Sequence, residues 1–222
     1  MSAIRQLALP FIHEAPFDPA DFLVGPCNEE ALAWLDTPWP ANRLALWGEP
    51  GCGKTHLLHV WTARGDCMLL PGQMLRGLVE LPTQGGLAVD DADLAPERPL
   101  LHLLNAAAEA GLPVLLAART APARWPTRLP DLASRLRAIT SVELGVPDEA
   151  MSRTLFTSLL AARQLVVPEP VQDWLLLRLP REPAALREAA ARLDHAALAA
   201  GRRITQAIAA QVLVDPITID LA

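Results

Sequence analysis

The sequence predicts an α/β domain built on a parallel five-stranded sheet, followed by a small all-helical C-terminal domain. Between residues 43 and 144, five short apolar runs alternate with segments of helical periodicity, which is typical of a parallel sheet covered by helices on both faces. After residue 147 the periodicity is helical throughout. The 222 residues, 51% of them hydrophobic, are enough for these two domains and too few for three.

The elements of the α/β domain are predicted in order along the chain. A helix over 28–36 begins at Asn28, which we expect to cap it. Strands are predicted over 43–47, 67–70, 86–89, 114–117 and 139–144. The intervening helices are predicted over 54–63, 73–80, 100–110 and 129–137, of which 73–80 has the weakest pattern.

The C-terminal domain reads as four helices. Asp148 caps the first, which runs to about residue 163, and Thr205 caps the last. The two between them are predicted over 168–179 and 181–200. We therefore divide the chain into a flexible N-terminal segment over 1–20, an α/β domain over 21–146 and a helical domain over 147–222.

Charge and composition narrow the classes of function. A net charge of −6 argues against a protein that coats nucleic acid by bulk electrostatics, so we expect contact with DNA to be indirect only. No apolar run is long enough to span a membrane, and no signal-peptide pattern is present. The three cysteines show no metal-ligand spacing, and reduced thiols in a cytoplasmic protein are expected.

Residues 48–55, Gly-Glu-Pro-Gly-Cys-Gly-Lys-Thr, match the P-loop pattern G-x-x-x-x-G-K-[ST] at every position. The segment follows a predicted strand and opens a predicted helix. Its glycines let backbone N–H groups turn toward phosphates, and the helix N-terminus adds a positive dipole. We expect ATP or ADP here, with Lys54 on the phosphates and Thr55 as a ligand of Mg²⁺.

Lysine is absent from the rest of the chain. The sequence holds eighteen arginines and one lysine, Lys54, which lies inside the P-loop. A compact ammonium on a flexible stem reaches the β- and γ-phosphates, and the planar guanidinium of arginine substitutes poorly for it. The one retained lysine indicates that the site is used.

The predicted third strand ends in two acids, Asp90 and Asp91. They lie one βα unit after the P-loop, where an acid can hold Mg²⁺ and a second acid can orient the attacking water. We assign Asp90 to the metal and Asp91 to the water. Asp93 is interpreted as a turn residue.

Residues 119–137 hold five arginines and one acid, the most basic stretch of the chain. A charge run is usually a solvated face, and most of these arginines are interpreted so. Arg135 differs because it lies on a short helix that leads into the fifth strand. Such a position can project toward the γ-phosphate held by a neighbouring subunit.

An apolar hexapeptide, Gln6-Leu7-Ala8-Leu9-Pro10-Phe11, interrupts the N-terminal segment. Its pattern suits docking into a groove of a partner, and it suits equally a segment that folds back onto its own domain.

Together these residues resemble the AAA+ ATPases of the DnaA/Hda branch over nearly the whole chain. Phe22, Val24, Gly25 and Asn28 are similar to the segment that lines the adenine pocket, and His56 extends the P-loop as it does in that branch. Residues 87–91 resemble Walker B, residues 132–136 resemble box VII, and residues 201–205 resemble the end of the lid. The resemblance makes Arg135 the candidate arginine finger, which would act in trans, and makes the C-terminal domain a lid. The nucleotide-binding residues it implies are Phe22, Val24, Gly25, Asn28, Pro50, Gly51, Cys52, Gly53, Lys54, Thr55, His56 and Arg181.

Within the branch the chain is more similar to the Hda family than to DnaA. It stops after the lid, without room for a helix-turn-helix, and its N-terminal hexapeptide resembles a sliding-clamp-binding motif. The residues of that motif are Gln6, Leu7, Leu9, Pro10 and Phe11. The implied function is clamp-dependent stimulation of the ATP hydrolysis of DnaA, beside the replisome and nucleoid. Self-association as a dimer or higher oligomer is left open.

The chain departs from the AAA+ pattern in two places. The fourth strand ends Leu116-Ala117-Ala118-Arg119, without the usual sensor I side chain. An ungapped alignment puts Ala184 at sensor II, whereas Arg181 fits after a small gap and Arg187 lies one turn later. Both departures favour a weak or absent intrinsic ATPase. The alternatives are a self-sufficient AAA+ ATPase of the helicase-loader or truncated-DnaA kind, and a small-molecule P-loop kinase, which would need an acceptor pocket.

Overall fold

Five parallel strands form a single sheet in the order β2-β3-β4-β1-β5, as seen in a computed structural model. The structure describes residues 22–77, 80–200 and 204–214. The strands are β1 (Arg43–Trp47), β2 (Met68–Pro71), β3 (Leu87–Asp90), β4 (Val114–Ala118) and β5 (Thr140–Glu143). The predicted parallel five-stranded sheet is confirmed, and the strand bounds differ from the predicted ones by at most one residue.

Helices cover both faces of the sheet, because alternate side chains of each strand point to opposite sides. The helices of this domain are α1 (Glu29–Leu35), α2 (Lys54–Thr62), α3 (Glu97–Glu109) and α4 (Pro130–Ala138). On one face, Leu44 and Leu46 of β1 are buried in a cluster with residues of α1 and α2. On the other face, Ala45 joins residues of α3 and α4. The sheet is thereby packed between helices on both of its faces.

Two local predictions in this domain are wrong. The helix predicted over 73–80 is only a single 3-10 turn over Gly72–Met74 among the described residues. Gly77 has φ +55°, a left-handed conformation that stops a helix. Asn28 does not cap α1, because its side chain bonds to Gly25 and Leu23 instead of the helix N–H groups.

The chain divides into two units between Val146 and Pro147. The second unit contains α5 (Glu149–Ala162), α6 (Glu169–Leu176), α7 (Pro183–Ala200) and α8 (Gln206–Val214). Asp148 caps α5 as predicted, since its Oδ1 accepts from the backbone N–H of Met151 at 2.7 Å. Phe156 and Leu193 are fully buried and belong to α5 and α7, which pack together.

Within the described part of the chain, none of the helices combines the length and the apolar character that crossing a membrane requires.

Candidate nucleotide-binding site

The loop between β1 and α2 depends on three glycines with positive φ. Gly48, Gly51 and Gly53 have φ of +155°, +82° and +109°, conformations that side-chain-bearing residues rarely adopt. A Cβ on Gly48 would lie 2.4 Å from the backbone oxygen of Leu144. The backbone N–H of Gly48 also donates to the carbonyl of Ala118 at 3.3 Å. The entrance to the loop is therefore held tightly between β4 and the end of β5.

Lys54 is buried, with 8% of its surface exposed, and its ammonium bonds to carbonyl groups of the loop. Nζ donates to the carbonyls of Gly48 and Glu49 at 2.7 and 2.8 Å, and it lies 3.6 Å from Sγ of Cys52. These contacts satisfy the charge and keep it at the first turn of α2. The positive charge is therefore placed beside the helix N-terminus, where an anion is favoured.

Thr55 and Asp90 come together from separate elements. The Thr55 hydroxyl, in the first turn of α2, donates to Oδ2 of Asp90 at the end of β3, at 2.8 Å. The other carboxylate oxygen, Oδ1, accepts from the backbone N–H of Asp91 at 3.0 Å. Asp91 has a left-handed backbone, with φ 47° and ψ 44°. The two predicted metal ligands thus share one corner of the site, and Asp91 follows directly.

The donor set fits a nucleotide with Mg²⁺. A hydroxyl oxygen and a carboxylate oxygen side by side are hard ligands of the kind Mg²⁺ prefers, with water and phosphate oxygens completing its shell. Among the described residues, no side chain caps the N-terminus of α2, which starts from Gly53. Backbone N–H groups at this end are therefore suited to phosphate oxygens. Bound Mg²⁺ would neutralise charge on the phosphates.

The segment before α1 lies partly against the P-loop. The ring of Phe22 meets the ring of His56 edge to face, with centroids 5.1 Å apart, and its edge faces Gly53. Asn28 is buried and uses both amide atoms internally, accepting from Gly25 N and donating to the Leu23 carbonyl. Val24 is 66% exposed. Phe22 and His56 thus meet at the first turn of α2, whereas Asn28 holds the shape of the segment.

Cys52 is buried in the loop, and burial raises the pKa of its thiol, although the nearby Lys54 ammonium acts in the opposite direction. The thiol is therefore neutral at physiological pH. Its role in the loop is to pack against the ammonium and the backbone of Gly48.

Arg135 lies on α4, the helix that precedes β5. It is exposed on α4, between the buried side chains Leu132 and Leu136. Burial, together with the charge of Arg135, lowers the pKa of Arg43 at the start of β1. The P-loop follows the opposite end of this five-residue strand, which at 3.3 Å per residue spans about 16 Å. The charge of Arg135 therefore acts at the start of β1, whereas the P-loop follows the end of that strand.

The remaining predicted residues belong to other parts of the chain. Arg181 is exposed in the C-terminal unit, where its Nη2 lies 3.8 Å from Oε2 of Glu149. The residues of the clamp-binding prediction, Gln6, Leu7, Leu9, Pro10 and Phe11, lie outside the described residues.

Two features beside the site are not predicted by the sequence. Oδ2 of Asp93 accepts from the backbone N–H of Arg119 at 3.4 Å, so this residue is more than a solvated turn. Gly72 packs against the backbone of Asp91, and a Cβ there would lie 2.4 Å from the Asp91 oxygen. The Gly at position 72 was a signal for close backbone approach, but its partner could not be read from the sequence.

Comparison with known proteins agrees with this architecture. Residues 149–213 match the family model of the Hda lid domain. Domain III of the replication initiation protein DnaA of Thermotoga maritima superposes with a TM-score of 0.75 at 19% identity, covering 90% of this chain and 96% of that one. AMPPCP-bound DnaA of Aquifex aeolicus gives 0.65 at 16% identity, with coverages of 79% and 64%.

A third similar structure is the RuvB Holliday junction branch migration motor of Thermotoga maritima. Its TM-score is 0.66 at 17% identity, with 83% of this chain and 68% of that chain covered. At such identities these likenesses concern the fold, whereas the lid is matched by a family model. Residues 149–213 are thus similar to the Hda lid domain, and the fold of the chain is similar to that of DnaA domain III.

Proposed function

We propose that this chain is a nucleotide-dependent regulator of replication initiation, which binds the DNA polymerase sliding clamp and promotes hydrolysis of ATP bound to DnaA. The observation that carries the proposal is the Hda-type lid over residues 149–213. It continues from an α/β domain with a formed P-loop and a Thr55–Asp90 pair. In this proposal ATP or ADP occupies the P-loop, and Thr55 and Asp90 hold Mg²⁺.

The location of Arg135 supports a role in trans. Arg135 is exposed on α4, and its charge acts on Arg43 at the beginning of β1, whereas the P-loop follows the end of that strand. A guanidinium supplied to another subunit stabilises the negative charge that develops on transferred phosphoryl oxygens. We assign Arg135 this action on ATP bound to DnaA.

The end of β4 supports slow turnover by the chain itself. Leu116, Ala117 and Ala118 are at most 1% exposed and offer no polar side chain toward the site. A group that holds or polarises the attacking water is therefore missing from this strand. The site can still bind a nucleotide through Lys54 and the P-loop backbone, so a long-lived ADP state follows.

Clamp binding rests on the sequence of the N-terminal hexapeptide alone. Gln6 would donate and accept hydrogen bonds at the entrance of a groove, and Leu7, Leu9 and Phe11 would fill it. A glutamine followed by spaced apolar side chains is the chemistry that such a groove selects.

The decisive experiment measures ATP hydrolysis by DnaA in the presence of this chain, the clamp and DNA. The wild-type chain is expected to accelerate hydrolysis only with the clamp present. Alanine at Gln6, Leu7 and Phe11 should abolish clamp binding and the acceleration together.

Arg135→Ala should abolish the acceleration while clamp binding persists, and Arg137→Ala, also exposed on α4, is the matched control. Acceleration by Arg135→Ala at the wild-type rate would remove the role in trans.

A second candidate is a self-sufficient AAA+ ATPase. The preformed Thr55–Asp90 pair with Asp91 beside it, and the similarity of the fold to a RuvB motor, favour this candidate. It predicts sustained hydrolysis by the isolated chain, lost in Asp91→Asn. Turnover of the isolated chain, measured with and without ATP-bound DnaA, separates the two candidates.

A further inference from the structure

One peptide group at the carboxyl end of β4 is bonded on both sides to loops of the nucleotide site. The carbonyl of Ala118 accepts from the backbone N–H of Gly48 at 3.3 Å. The N–H of the same peptide group, that of Arg119, donates to Oδ2 of Asp93 at 3.4 Å. Gly48 begins the P-loop, and Asp93 follows the acids at the end of β3. Since β4 lies between β3 and β1, its end is where these two loops can be joined.

The side chain of Asp93 is held at an energetic cost. Its other oxygen, Oδ1, is buried and has no hydrogen-bond partner within the described ranges. A solvated turn residue would rotate both oxygens into water, whereas a buried unpaired acceptor is unfavourable. Such a group in a folded protein calls for an explanation beyond local turn geometry.

The strand that carries this peptide supplies no polar side chain of its own at the same end. Leu116, Ala117 and Ala118 are buried and apolar, and the register places Ala118 opposite Trp47, the last residue before the P-loop. The polar connection between β4 and the acidic end of β3 is therefore made by a backbone N–H and the carboxylate of Asp93.

We propose that Asp93 is a positioning residue of the nucleotide site, coupling the acidic end of β3 to the P-loop through the Ala118–Arg119 peptide. This inference rests on the proposed nucleotide binding. The peptide group is planar and stiff, so a displacement of Gly48 moves the Arg119 N–H with it. Asp93 transmits that displacement to Asp90 and Asp91, which lie two or three residues earlier in the same turn. The Mg²⁺ ligands and the phosphate loop thereby keep a fixed relation.

The test compares the affinity for fluorescent ADP in Mg²⁺ and in EDTA, well below the melting temperature of each variant. Asp93→Ala removes the acceptor and should weaken binding in Mg²⁺ about tenfold, a value equivalent to about 1.4 kcal/mol. In EDTA the loss should stay below about threefold, because only the Mg²⁺ ligands are misplaced. Asp93→Asn keeps an oxygen that can accept from Arg119 and should restore most of the affinity in Mg²⁺. Asp66→Ala changes an exposed acid of the same domain, in the turn after α2, and should have no effect.

Unchanged affinity of Asp93→Ala in Mg²⁺ would overturn the proposal, and so would an equal loss in Mg²⁺ and EDTA, since that is the signature of general damage. If Asp93→Ala does not fold, amide exchange of Arg119 in the wild-type chain decides. Protection of at least tenfold over an unbonded amide, increasing with Mg²⁺ and ADP, is expected, and exchange at the open-chain rate would refute the contact. If Lys54→Ala loses ADP binding and Asp93→Ala does not, the proposed nucleotide site is supported and only the role proposed for Asp93 is refuted. Failure of the wild-type chain to bind ADP would instead refute the proposed function.

Discussion

Thr55 and Asp90 lie 35 positions apart in the chain and are joined by a hydrogen bond of 2.8 Å. The hydroxyl comes from the first turn of α2 and the carboxylate from the end of β3, so the bond ties the helix after the P-loop to a neighbouring part of the sheet. It also places two hard oxygen donors side by side, as the proposed Mg²⁺ site requires. The first prediction follows from this pair.

Asp90→Asn should remove most of the strengthening that Mg²⁺ gives to ADP binding. An amide oxygen is a weaker ligand for Mg²⁺ than a carboxylate, because it carries no full charge. We expect the ratio of affinities in Mg²⁺ and EDTA to fall at least about tenfold, equivalent to about 1.4 kcal/mol. Titration calorimetry measures both affinities, with Asp66→Asn as the control. An unchanged ratio would assign the metal to other residues.

Gly48→Ala should destabilise the α/β domain strongly. Its Cβ would lie 2.4 Å from the Leu144 backbone oxygen, and φ is +155°, so neither the side chain nor the backbone can adapt easily. A loss of about 2–4 kcal/mol in the free energy of unfolding is expected from overpacking and backbone strain. Gly65→Ala is the matched control, because nothing lies within 4 Å of its Cβ position. Urea denaturation compares the two, and equal stabilities would contradict the packing described for the loop.

The thiols of Cys52, which is buried, and Cys67, which is half-buried, predict a loss of stability at alkaline pH. Burial raises the pKa of Cys52 and of Cys67 above the ordinary 9.0, with Lys54 opposing the effect at Cys52 and a hydrogen bond from Gly86 opposing it at Cys67. A raised pKa in the folded state means that the contribution to stability is complete below the unfolded pKa. It is lost as the pH rises through the folded value.

The test of this alkaline effect is a comparison of unfolding free energies between about pH 7.5 and pH 10, across the ordinary thiol pKa. The wild-type chain should lose more stability over this interval than a variant with alanine at Cys52 and Cys67. Parallel pH profiles would show that the thiols ionise equally in both states.

Arg135→Ala should slightly stabilise the fold while it removes the proposed action on DnaA. Burial lowers the pKa of the Arg43 guanidinium, and the nearby charge of Arg135 lowers it further, so the pair is repulsive. For an exposed charge the gain is a few tenths of a kcal/mol at low salt, and it should vanish in about 0.5 M NaCl as the charges are screened. Thermal unfolding at two salt concentrations, with Arg137→Ala as control, measures the effect. A destabilised Arg135→Ala would mean that the guanidinium supports the fold instead.

The fold was predictable because each strand and each helix carries its own periodicity in the sequence. The parallel sheet and the helical lid are confirmed, and Thr55 and Asp90, predicted to share a metal, do lie together. The helix predicted over 73–80 failed because its apolar spacing was weak and a left-handed Gly77 interrupts it. The position of Asn28 before α1 predicted a helix cap, but its side-chain amide bonds instead to the backbone of Gly25 and Leu23.

Pairings between distant elements could not be predicted in the same way. The contact of Asp93 with Arg119 exists because β4 lies next to β3, and the contact of Gly48 with Ala118 exists because β4 also lies next to β1. Strand order is a property of the assembled sheet, and local periodicity does not encode it. The burial of Arg43 could not be predicted for the same reason, because its guanidinium donates to the carbonyl of Leu104 on α3.

Lys54 is the only lysine among the 222 residues, and it is 8% exposed. Apart from the α-amino group, amine-directed reagents therefore have a single target in this chain, and that target is enclosed by carbonyls. Lysine crosslinkers will report almost nothing about the surfaces that meet other proteins, so arginine- or carboxylate-directed reagents are needed to map them. Acylation of the ε-amino group becomes in turn a specific reporter of P-loop occupancy, because a ligand that covers the loop should protect its one reactive amine.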